Sequence, residues 1–595
     1  MPTRQTSRRL RWALGLIGVA VVVLVVFTAY QALTAKRALD AAAADLEPMA
    51  AELAEGEVAA ASARLEDIQE SAEEARTNTR GPGWWVGARL PYLGDDVGAV
   101  QTVADVTDVV ARDVLPGVVS AAETLSPANL SPRKGRIPVG PIERAASDVV
   151  AVDEELSRQA ARISAIDTSG LLPPLVRPID ELTEQLEEAT SLTGRASYAV
   201  RLLPPMLGGD GPRTHLLLFQ NNAEIRATGG IPGSVAVLRA NRGKLSLGEQ
   251  GTAGSFGSYA EPPFELTDEE LRVYGAKLGR FGADINFTPD FPRTGEIAQT
   301  MWRIQRGVNV DGVLSVDPVA LSYLLEATGP VEVPGGPRLT ARNAVEILLD
   351  EVYRTIPTND AQNAYFAAAA SAVFDAVSAG RGDPTEMLRA LSKAASEGRI
   401  YVWSDKDREQ RLIEETALSG QVPREEGASP FVGVFMNDGT AAKMQYYLDH
   451  RVDVRPVRCN PAGRQTLEVT VEMSSNAPEN VAELPPYVIG PRSDGSSYFG
   501  VDPGDMRINV HLYAPVGGWI DGSTVGGEEA PLSEAEHLGH PVGSRSITLS
   551  PGDTQQLTYT VVTGLDQPGD VNLRVTPGVR GDGRGTVEPS ACGAS

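Results

Sequence analysis

The feature that most constrains this chain is a run of 19 residues without a charge, residues 12–30. A helix needs about 20 apolar residues to cross the hydrocarbon layer of a membrane. The preceding segment, residues 1–11, carries four arginines, and basic residues beside a span stay on the cytoplasmic side. We therefore predict that residues 12–32 form a single transmembrane helix in the lipid bilayer of the cell membrane, with the N-terminus cytoplasmic and the bulk of the chain extracellular. A cleaved signal peptide is the alternative, but the run is longer than a usual signal-peptide core and no clear A-x-A site follows it.

The charge and the missing motifs of the chain exclude several functions. At a net charge of −25 most of the molecule would repel nucleic acid, so we expect no nucleic-acid partner. The sequence also lacks the glycine-rich phosphate loop, the H-E-x-x-H zinc motif and the G-x-S-x-G nucleophile motif. Nucleotide hydrolysis, zinc proteolysis and α/β-hydrolase chemistry therefore have no support, and we predict no metal site.

Periodicity divides the rest of the chain into three parts. Residues 33–200 are rich in alanine and carry apolar residues three and four apart, which predicts a helical stalk or bundle. In residues 201–430, apolar runs typical of buried strands alternate with helical segments, which predicts an α/β core domain. Residues 431–595 alternate apolar and polar residues between turns, which predicts a β-sandwich domain with a loose C-terminal tail. The expected fold class is multidomain α+β.

The two cysteines, Cys459 and Cys592, both follow the predicted membrane span. In an oxidising compartment they are candidates for a disulfide that ties the C-terminal tail to an earlier strand. Two free buried thiols are the alternative. Their spacing matches no zinc-binding motif.

The stretch "QNNAEIRATGGIPGS", residues 220–234, gathers polar residues directly after an apolar strand. Arg226 is suited to paired hydrogen bonds with a phosphate or carboxylate, and Asn221 and Asn222 are suited to further hydrogen bonds. The Gly-Gly pair permits close backbone approach. In the alternative interpretation the stretch is a structural turn in which Arg226 pairs with Glu224.

Three blocks make the chain resemble a known family: "LLLFQNNAEIRATGG", "DINFTPDFPRTGEIAQTMW" and "VDGVLSVDPVALSYLLEATGPVEV". They are similar to family 4012 of the domains of unknown function, found in membrane-anchored proteins of Gram-positive bacteria. The resemblance covers roughly residues 200–450. It implies an extracytoplasmic cell-envelope protein and supplies no activity.

The order of elements also resembles the LytR-CpsA-Psr family, which attaches glycopolymers to the cell wall from polyprenyl-pyrophosphate carriers. That resemblance implies a related fold for the core domain, with Arg226 in the place of a pyrophosphate-binding arginine. Asp290, Arg293 and Arg354 complete the candidate anion site, although Asp290 and Arg293 are equally explained as a capped helix start. Where the enzyme family has further arginines, this chain has Ala361, Gln362, Asn363 and Tyr365. This chain therefore has fewer of the cations that phosphoryl transfer requires.

Two hypotheses about function follow. The first is a non-enzymatic envelope protein that binds an anionic cell-wall glycan, a polyprenyl-linked or other lipid-linked ligand, or an envelope partner, with no certain cofactor. The second is a LytR-CpsA-Psr-like glycopolymer phosphotransferase that uses Mg²⁺ with Arg226, Arg293 and Arg354. The departures from the enzyme family favour the first, and we assign no catalytic residue.

Overall fold

The computed structural model describes residues 4–132, 135–490, 500–580 and 585–593, and only the backbone of residues 4–18, 54, 127 and 128. It is a mixed α+β protein whose chain divides into two compact units. The first unit comprises Met1–Leu130 and Pro138–Pro205, and the second comprises Ser131–Ile137 and Met206–Ser595. The first three residues of the predicted cytoplasmic segment lie outside the described residues. The domain boundaries given above stay predictions.

The first unit is helical. Its helices are α1 (Arg4–Glu55), α2 (Val58–Asn78), α3 (Pro82–Gly87), α4 (Gly94–Val109), α5 (Leu115–Thr124), α6 (Pro127–Leu130), α7 (Val139–Ser164) and α8 (Pro173–Met206), with a π-helical turn at Val110–Val114 and a 3-10 turn at Thr168–Gly170. Gly56 follows α1 at a φ of 81°. Glycine adopts this left-handed conformation at little cost, so the chain turns there into α2.

The N-terminal part of α1 presents apolar side chains outward. Val22 is 62% exposed and Tyr30 is 63% exposed, and a row of such side chains is unfavourable in water. The segment Val19–Leu53 contains an 18-residue stretch with a mean hydropathy of 1.8, and the helix is long and apolar enough to cross a membrane. The sequence prediction of an N-terminal helix able to span a membrane is confirmed to this extent, and the side of the membrane on which the chain lies stays a prediction.

The second half of α1 packs along α2 through small side chains. The apolar cluster between them contains Ala42, Met49, Ala61, Leu65, Ile68 and Ala72. Arg64 of α2 reaches back to α1, 2.9 Å from Asp45 and 2.6 Å from Glu52. The apolar stripe that follows the predicted span is therefore buried within the same chain.

The second unit combines helices and three sheets. Its helices are α9 (Asp268–Val273), α10 (Lys277–Arg280), α11 (Phe291–Arg306), α12 (Pro318–Thr328), α13 (Ala344–Glu346), α14 (Val352–Thr355), α15 (Asn359–Ser378), α16 (Pro384–Ser396), α17 (Asp407–Glu414) and α18 (Pro486–Ile489), with a π-helical turn at Ile347–Glu351 and 3-10 turns at Ala253–Phe256, Ala417–Ser419, Met444–Tyr447 and Val481–Glu483. Its strands are β1 (Arg213–Arg226), β2 (Gly229–Asn241), β3 (Lys244–Thr252), β4 (Gly312–Val316), β5 (Ile400–Ser404), β6 (Phe431–Asp438), β7 (Leu448–Cys459), β8 (Gln465–Ser475), β9 (Met506–Tyr513), β10 (Trp519–Val525), β11 (Glu528–Glu529), β12 (Ser533–His537), β13 (His540–Leu549), β14 (Thr554–Val562), β15 (Asn572–Val575) and β16 (Thr586–Val587).

The first sheet of this unit has the strand order β3-β2-β1-β4-β5. β1 and β4 run parallel, and the other neighbours are antiparallel. Leu216, Leu218 and Val313 pack with α11 in one apolar cluster. Phe219 and Val316, on these same two strands, line a cavity with residues of α12 and α15. The sheet therefore has helices on both faces, as the alternation of strands and helices in the sequence predicts.

The other two sheets follow the orders β11-β10-β14-β8-β7-β16 and β12-β13-β9-β6-β15. Every second residue of β9 is fully buried, namely Met506, Ile508, Val510 and Leu512, because successive side chains of a strand point to opposite faces. These residues share one apolar cluster with residues of β6, β7, β8 and β14. Ile225 at the end of β1 joins the same cluster, so the first sheet contributes to this core.

The C-terminal tail, which the sequence predicts to be loose, is tied to the rest of the second unit at two places. β16 pairs with β7, with Thr586 opposite Asp453. A disulfide joins Cys459 at the end of β7 to Cys592. The candidate disulfide is therefore present in the structure. The tail is connected to β7 both by strand pairing and by this covalent bond.

Candidate functional site

The polar stretch after the first apolar strand is a distorted part of the strand. β1 extends through Arg226, and β2 begins at Gly229. Asn221 pairs with Ile231 while Ile225 pairs with Gly230, so residues 222–224 have no partner across the ladder. Such bulges redirect side chains and are frequent beside functional sites. The predicted polar turn is therefore a bulged hairpin end.

Polar side chains of this hairpin end bond within it and to distant parts of the chain. The Gln220 Oε1 atom accepts a hydrogen bond of 3.0 Å from the backbone of Gly230. Gly229 has a φ of 131°, a backbone conformation that favours glycine. A Cβ there would lie 2.8 Å from Gln220 Oε1 and would displace that side chain. Asn222 donates hydrogen bonds to Asp317 at 3.1 Å and to the carbonyl of Pro577 at 3.3 Å. The bulge is thus built into its surroundings through residues far away in sequence.

Three buried charges and one partly buried carboxylate form a continuous chain, which we call the ion chain: Lys443, Glu224, Arg226 and Asp284. Lys443 Nζ lies 3.1 Å from Glu224, Glu224 lies 3.0 Å from Arg226, and Arg226 lies 3.2 Å from Asp284. Burial alone would raise the pKa of Glu224, but the charges of Lys443 and Arg226 hold that pKa below its ordinary value. Burial raises the pKa of Asp284. The charges are stable here because each cation has a carboxylate within contact distance.

Two aromatic rings enclose the ammonium group at one end of the ion chain. Lys443 Nζ lies 5.1 Å from the ring centre of Tyr353 and 5.0 Å from that of Tyr487, within the range of cation–π attraction. Asn221 donates a hydrogen bond to the Tyr353 hydroxyl. Burial raises the pKa of Tyr353 to about 12. This hydroxyl therefore stays protonated and serves as a hydrogen-bonding group.

A cavity of about 300 Å³ opens beside this lysine. It lies at the carboxyl ends of the parallel strands β1 and β4, where α/β sheets commonly bind ligands. Its apolar walls come from both strands, β2, α12, α15 and the π-helical turn: Phe219, Ile231, Val316, Leu321, Leu348, Leu349, Phe366, Ala369 and Ala370. Its polar end comprises Asn221, Glu224, Asp317, Tyr353, Lys443 and Tyr487. A neighbouring cavity of about 230 Å³ adjoins it, and the two share both apolar and polar lining residues: Phe219, Ser234, Thr252, Asn363, Phe366 and Ala370.

The structure separates the arginines of the candidate anion site. Arg226 is 4% exposed and belongs to the ion chain. Arg293 pairs with Glu270 at 2.7 Å and Glu296 at 3.1 Å on and beside α11. Each guanidinium thus has carboxylate partners of its own.

The other predicted site residues also have different partners in different parts of the second unit. Arg354 pairs with Asp350 at 2.6 Å, and its side chain is 42% exposed. Asp290 precedes α11, where its Oδ1 atom accepts a hydrogen bond of 2.9 Å from the backbone of Val422. Burial raises its pKa to about 6. Of the six predicted residues, Asn221 lines the cavity. Asn222 braces the adjacent bulge and Arg226 belongs to the ion chain. Asp290, Arg293 and Arg354 have structural partners elsewhere.

Sequence reasoning did not select Lys443, Tyr353 or Tyr487. Lys443 comes 219 positions after Glu224, and no local pattern links the two residues. Its one sequence signal is that lysine is scarce, with seven in 595 residues. Tyr353 and Tyr487 sit in short helices whose patterns predict core packing. Only folding brings these groups together.

Comparison with known proteins identifies a family for part of the chain. A family model described as "Protein of unknown function (DUF4012)" matches residues 210–353. That segment runs from the start of β1 to α14, so it includes Asn221, Glu224, Asp317 and Tyr353 and ends before Lys443. No curated protein and no solved structure matches the chain.

Proposed function

Residues 210–353 belong to the DUF4012 family of unknown function, and from the chemistry in and beside this segment we propose a membrane-anchored, non-enzymatic binding protein of the cell envelope. Its ligand is a lipid-linked molecule that places its apolar chain in the cavity and its anionic head beside Lys443. The observation that carries the proposal is the cavity, whose apolar walls end at a buried cation.

The cavity walls favour a hydrocarbon chain over a free sugar. Leu321, Leu348 and Phe366 offer no hydrogen bonds, so sugar hydroxyls placed against them would lose their partners. A chain gains about 0.8 kcal/mol for each methylene that it buries. The adjoining cavity gives such a chain room to continue along α15.

The polar end suits an anionic head group. In the cavity lining, Lys443 pairs with Glu224, which also pairs with Arg226, and Asp317 pairs with Arg399. An anionic head group would therefore share Lys443 with Glu224. Asn359 and Asn363, both exposed, lie at the edge of the cavity on α15. Amide donors together with an ammonium group favour phosphate oxygens through charge-assisted hydrogen bonds.

Two features support export of the second unit to the outside of a membrane. The apolar segment of α1 is long enough to act as an anchor, and the arginines before it favour a cytoplasmic N-terminus. The disulfide between Cys459 and Cys592 suits an oxidising compartment. We propose that the protein crosses the membrane of a Gram-positive cell once and that its cavity lies on the outer side of that membrane.

The finer fold assignments belong to the same proposal. Because two C-terminal sheets contribute to one apolar cluster, we propose that they form a β-sandwich. A LytR-CpsA-Psr-like core agrees with the helices on both faces of the first sheet.

The phosphotransferase alternative receives less support. It requires several cations at one point, yet Arg226, Arg293 and Arg354 pair with different carboxylates. Within the described part of the chain, no group of three or more His, Cys, Asp or Glu residues is placed to hold a metal ion.

The proposal is tested with the full chain in lipid nanodiscs and a radiolabelled polyprenyl phosphate. Ala370→Leu fills the cavity between Phe219 and Phe366, and we expect it to weaken binding by at least roughly tenfold, since about two buried methylenes are displaced. Its melting temperature should not fall, because the new side chain occupies empty space. Ala361→Leu is the matched control, since Ala361 is exposed on the same helix and does not line the cavity.

Competition completes the experiment. Unlabelled polyprenyl phosphate should displace the label, and polyprenol should displace it more weakly because it lacks the charge. Inorganic phosphate alone should not. Equal binding by the two leucine variants, or no binding by the native chain, refutes the proposal.

A further inference from the structure

A second and larger space in the same unit, which we call the cleft, has a different chemistry. It has a volume of about 810 Å³ and lies between the outward face of β9 and β13 and residues 273–287. The alternation of β9 builds one wall: Ile508 and Val510 point into the apolar core, whereas Arg507, Asn509 and His511 line the cleft. A strand that buries one face in this way necessarily presents a polar row on the other.

The lining of the cleft is cationic in a strongly acidic protein. Among the described residues that line it, five are cationic, Arg226, Lys277, Arg280, Arg507 and Arg545, and two are acidic, Asp284 and Asp438. Both carboxylates already accept bonds from within the protein: Asp284 holds Arg226, and Asp438 accepts from Thr440, Ala441 and Gln445. Arg226 is already paired with Glu224 and Asp284. The other four cations concentrate positive charge in a chain whose net charge is −25, and such a concentration attracts anions.

Neutral hydrogen-bonding groups lie among these cations. Ser544 lies 2.8 Å from the ring of His511, and Ser546 donates to Asn509 on the neighbouring strand. Burial lowers the pKa of His511 to about 4, so this ring is a neutral hydrogen-bonding group near pH 7. Hydroxyl, amide and imidazole groups between fixed cations match a ligand that carries both hydroxyls and negative charges.

We propose that the cleft binds a short segment of an anionic polysaccharide, with its phosphate or carboxylate groups at Lys277 and Arg507 and its hydroxyls at Ser544, Ser546 and Asn509. Extended nucleic acid fits less well, because its remaining phosphates would face the acidic remainder of the molecule. The proposal is independent of the lipid-binding cavity, since Lys277 and Arg507 line the cleft and not the cavity.

Binding is measured by calorimetry on the full chain in nanodiscs without anionic lipid. Three oligosaccharide probes of equal length separate the sources of charge: a glycerol-phosphate oligomer, oligogalacturonate and neutral dextran. We expect at least one anionic probe to bind and dextran not to bind. The affinity should fall as NaCl rises from about 50 to about 500 mM, since exposed charges are screened over this range.

Variants locate the binding. Lys277→Gln with Arg507→Gln should weaken binding of the anionic probe roughly tenfold. Because Arg507 is partly buried, Lys277→Glu is the second variant. Lys277 is exposed and its charge acts on Asp284, so a melting curve checks that this variant stays folded, and its binding of the anionic probe should weaken several-fold. Arg389→Gln, at a side chain 71% exposed on α16, is the matched control and should bind as the native chain does.

Three outcomes overturn the proposal: no anionic probe binds, dextran binds equally well, or the cleft variants bind as Arg389→Gln does. Preference for the phosphate or the carboxylate probe identifies the anionic group. Polyprenyl phosphate binding should be unchanged in the cleft variants, so failure of this inference and failure of the cavity proposal are distinguishable.

Discussion

Replacing Glu224 by glutamine tests whether the buried ion chain is essential to the fold of the second unit. The substitution keeps the size of the side chain and removes the charge that Lys443 and Arg226 share at 3.1 and 3.0 Å. Arg226 retains Asp284 at 3.2 Å, whereas Lys443 keeps only the two tyrosine rings among the partners described above. Removing one member of a buried ion pair costs about 3–5 kcal/mol, because the remaining charge is left without compensation.

The expected size can be expressed as a melting temperature. Unfolding entropy is about 2.1 cal/mol/K per residue, and the second unit spans Ser131–Ile137 and Met206–Ser595, so 1 kcal/mol corresponds to roughly 1 °C. Glu224→Gln should therefore lower the melting temperature by about 3–6 °C. The difference in melting temperature between the native chain and Glu224→Gln should become smaller in acid. Folding lowers the pKa of Glu224, so the charge of Glu224 stabilises the fold at pH values above the ordinary carboxyl range. This stabilisation is lost as pH falls through the folded pKa.

Two further variants make this prediction refutable. Glu296→Gln is the control, because Glu296 pairs with Arg293 at 3.1 Å but its side chain is 54% exposed, and such pairs contribute at most about 1 kcal/mol. Adding Lys443→Met to Glu224→Gln removes the uncompensated cation and should recover part of the loss. The reasoning fails if Glu224→Gln behaves like Glu296→Gln, or if the double variant loses the sum of both single effects. Differential scanning fluorimetry from about pH 2 to about pH 8, a range that extends below the ordinary carboxyl pKa, measures all of these variants.

Three other predictions concern separate parts of the second unit. Burial raises the folded pKa of Asp290 to about 6, so the protonated carboxyl contributes to stability below the unfolded pKa, and this contribution is lost as pH rises through 6. As pH rises from about 4 to about 7, Asp290→Asn should therefore become more stable relative to the native chain. A constant difference in melting temperature over that range contradicts this. Cys459→Ser with Cys592→Ser should cost about 2–5 kcal/mol under oxidising conditions, and a reducing agent should shift the melting temperature of the native chain but not that of the variant. Gly230→Ala should destabilise by several kcal/mol, of order the larger single-site effects, because its Cβ would lie 2.2 Å from the backbone of Asn221; an unchanged melting temperature would show that the hairpin end can yield.

Much of the architecture could be predicted because it depends on local periodicity. The alternation of β9, the apolar run of β1 and the helical spacing of residues 33–200 are visible in the sequence, and the structure places strands or helices in each. The long apolar run in α1 can also be recognised from the sequence, since the length and apolarity that a membrane-spanning helix needs are both visible there.

The ends of these elements were less predictable. β1 continues from Phe219 through Arg226 because its polar side chains find buried partners, such as Asp317 for Asn222. A pattern of polar residues predicts exposure unless partners distant in sequence are known. For the same reason the C-terminal tail resembles a loose segment until β16 pairs with β7 and Cys592 reaches Cys459.

By itself, the sequence of this protein determines an apolar N-terminal helix, a helical region and strand-rich regions, and it identifies residues 220–234 as a concentration of polar groups. Only the tertiary structure decides what those groups do. Charges attract at short distances through a low-dielectric interior, so the role of Arg226 depends on whether a carboxylate or a ligand lies beside it. The fold places Glu224 and Asp284 there, and it brings Lys443 to the apolar cavity from 219 positions away.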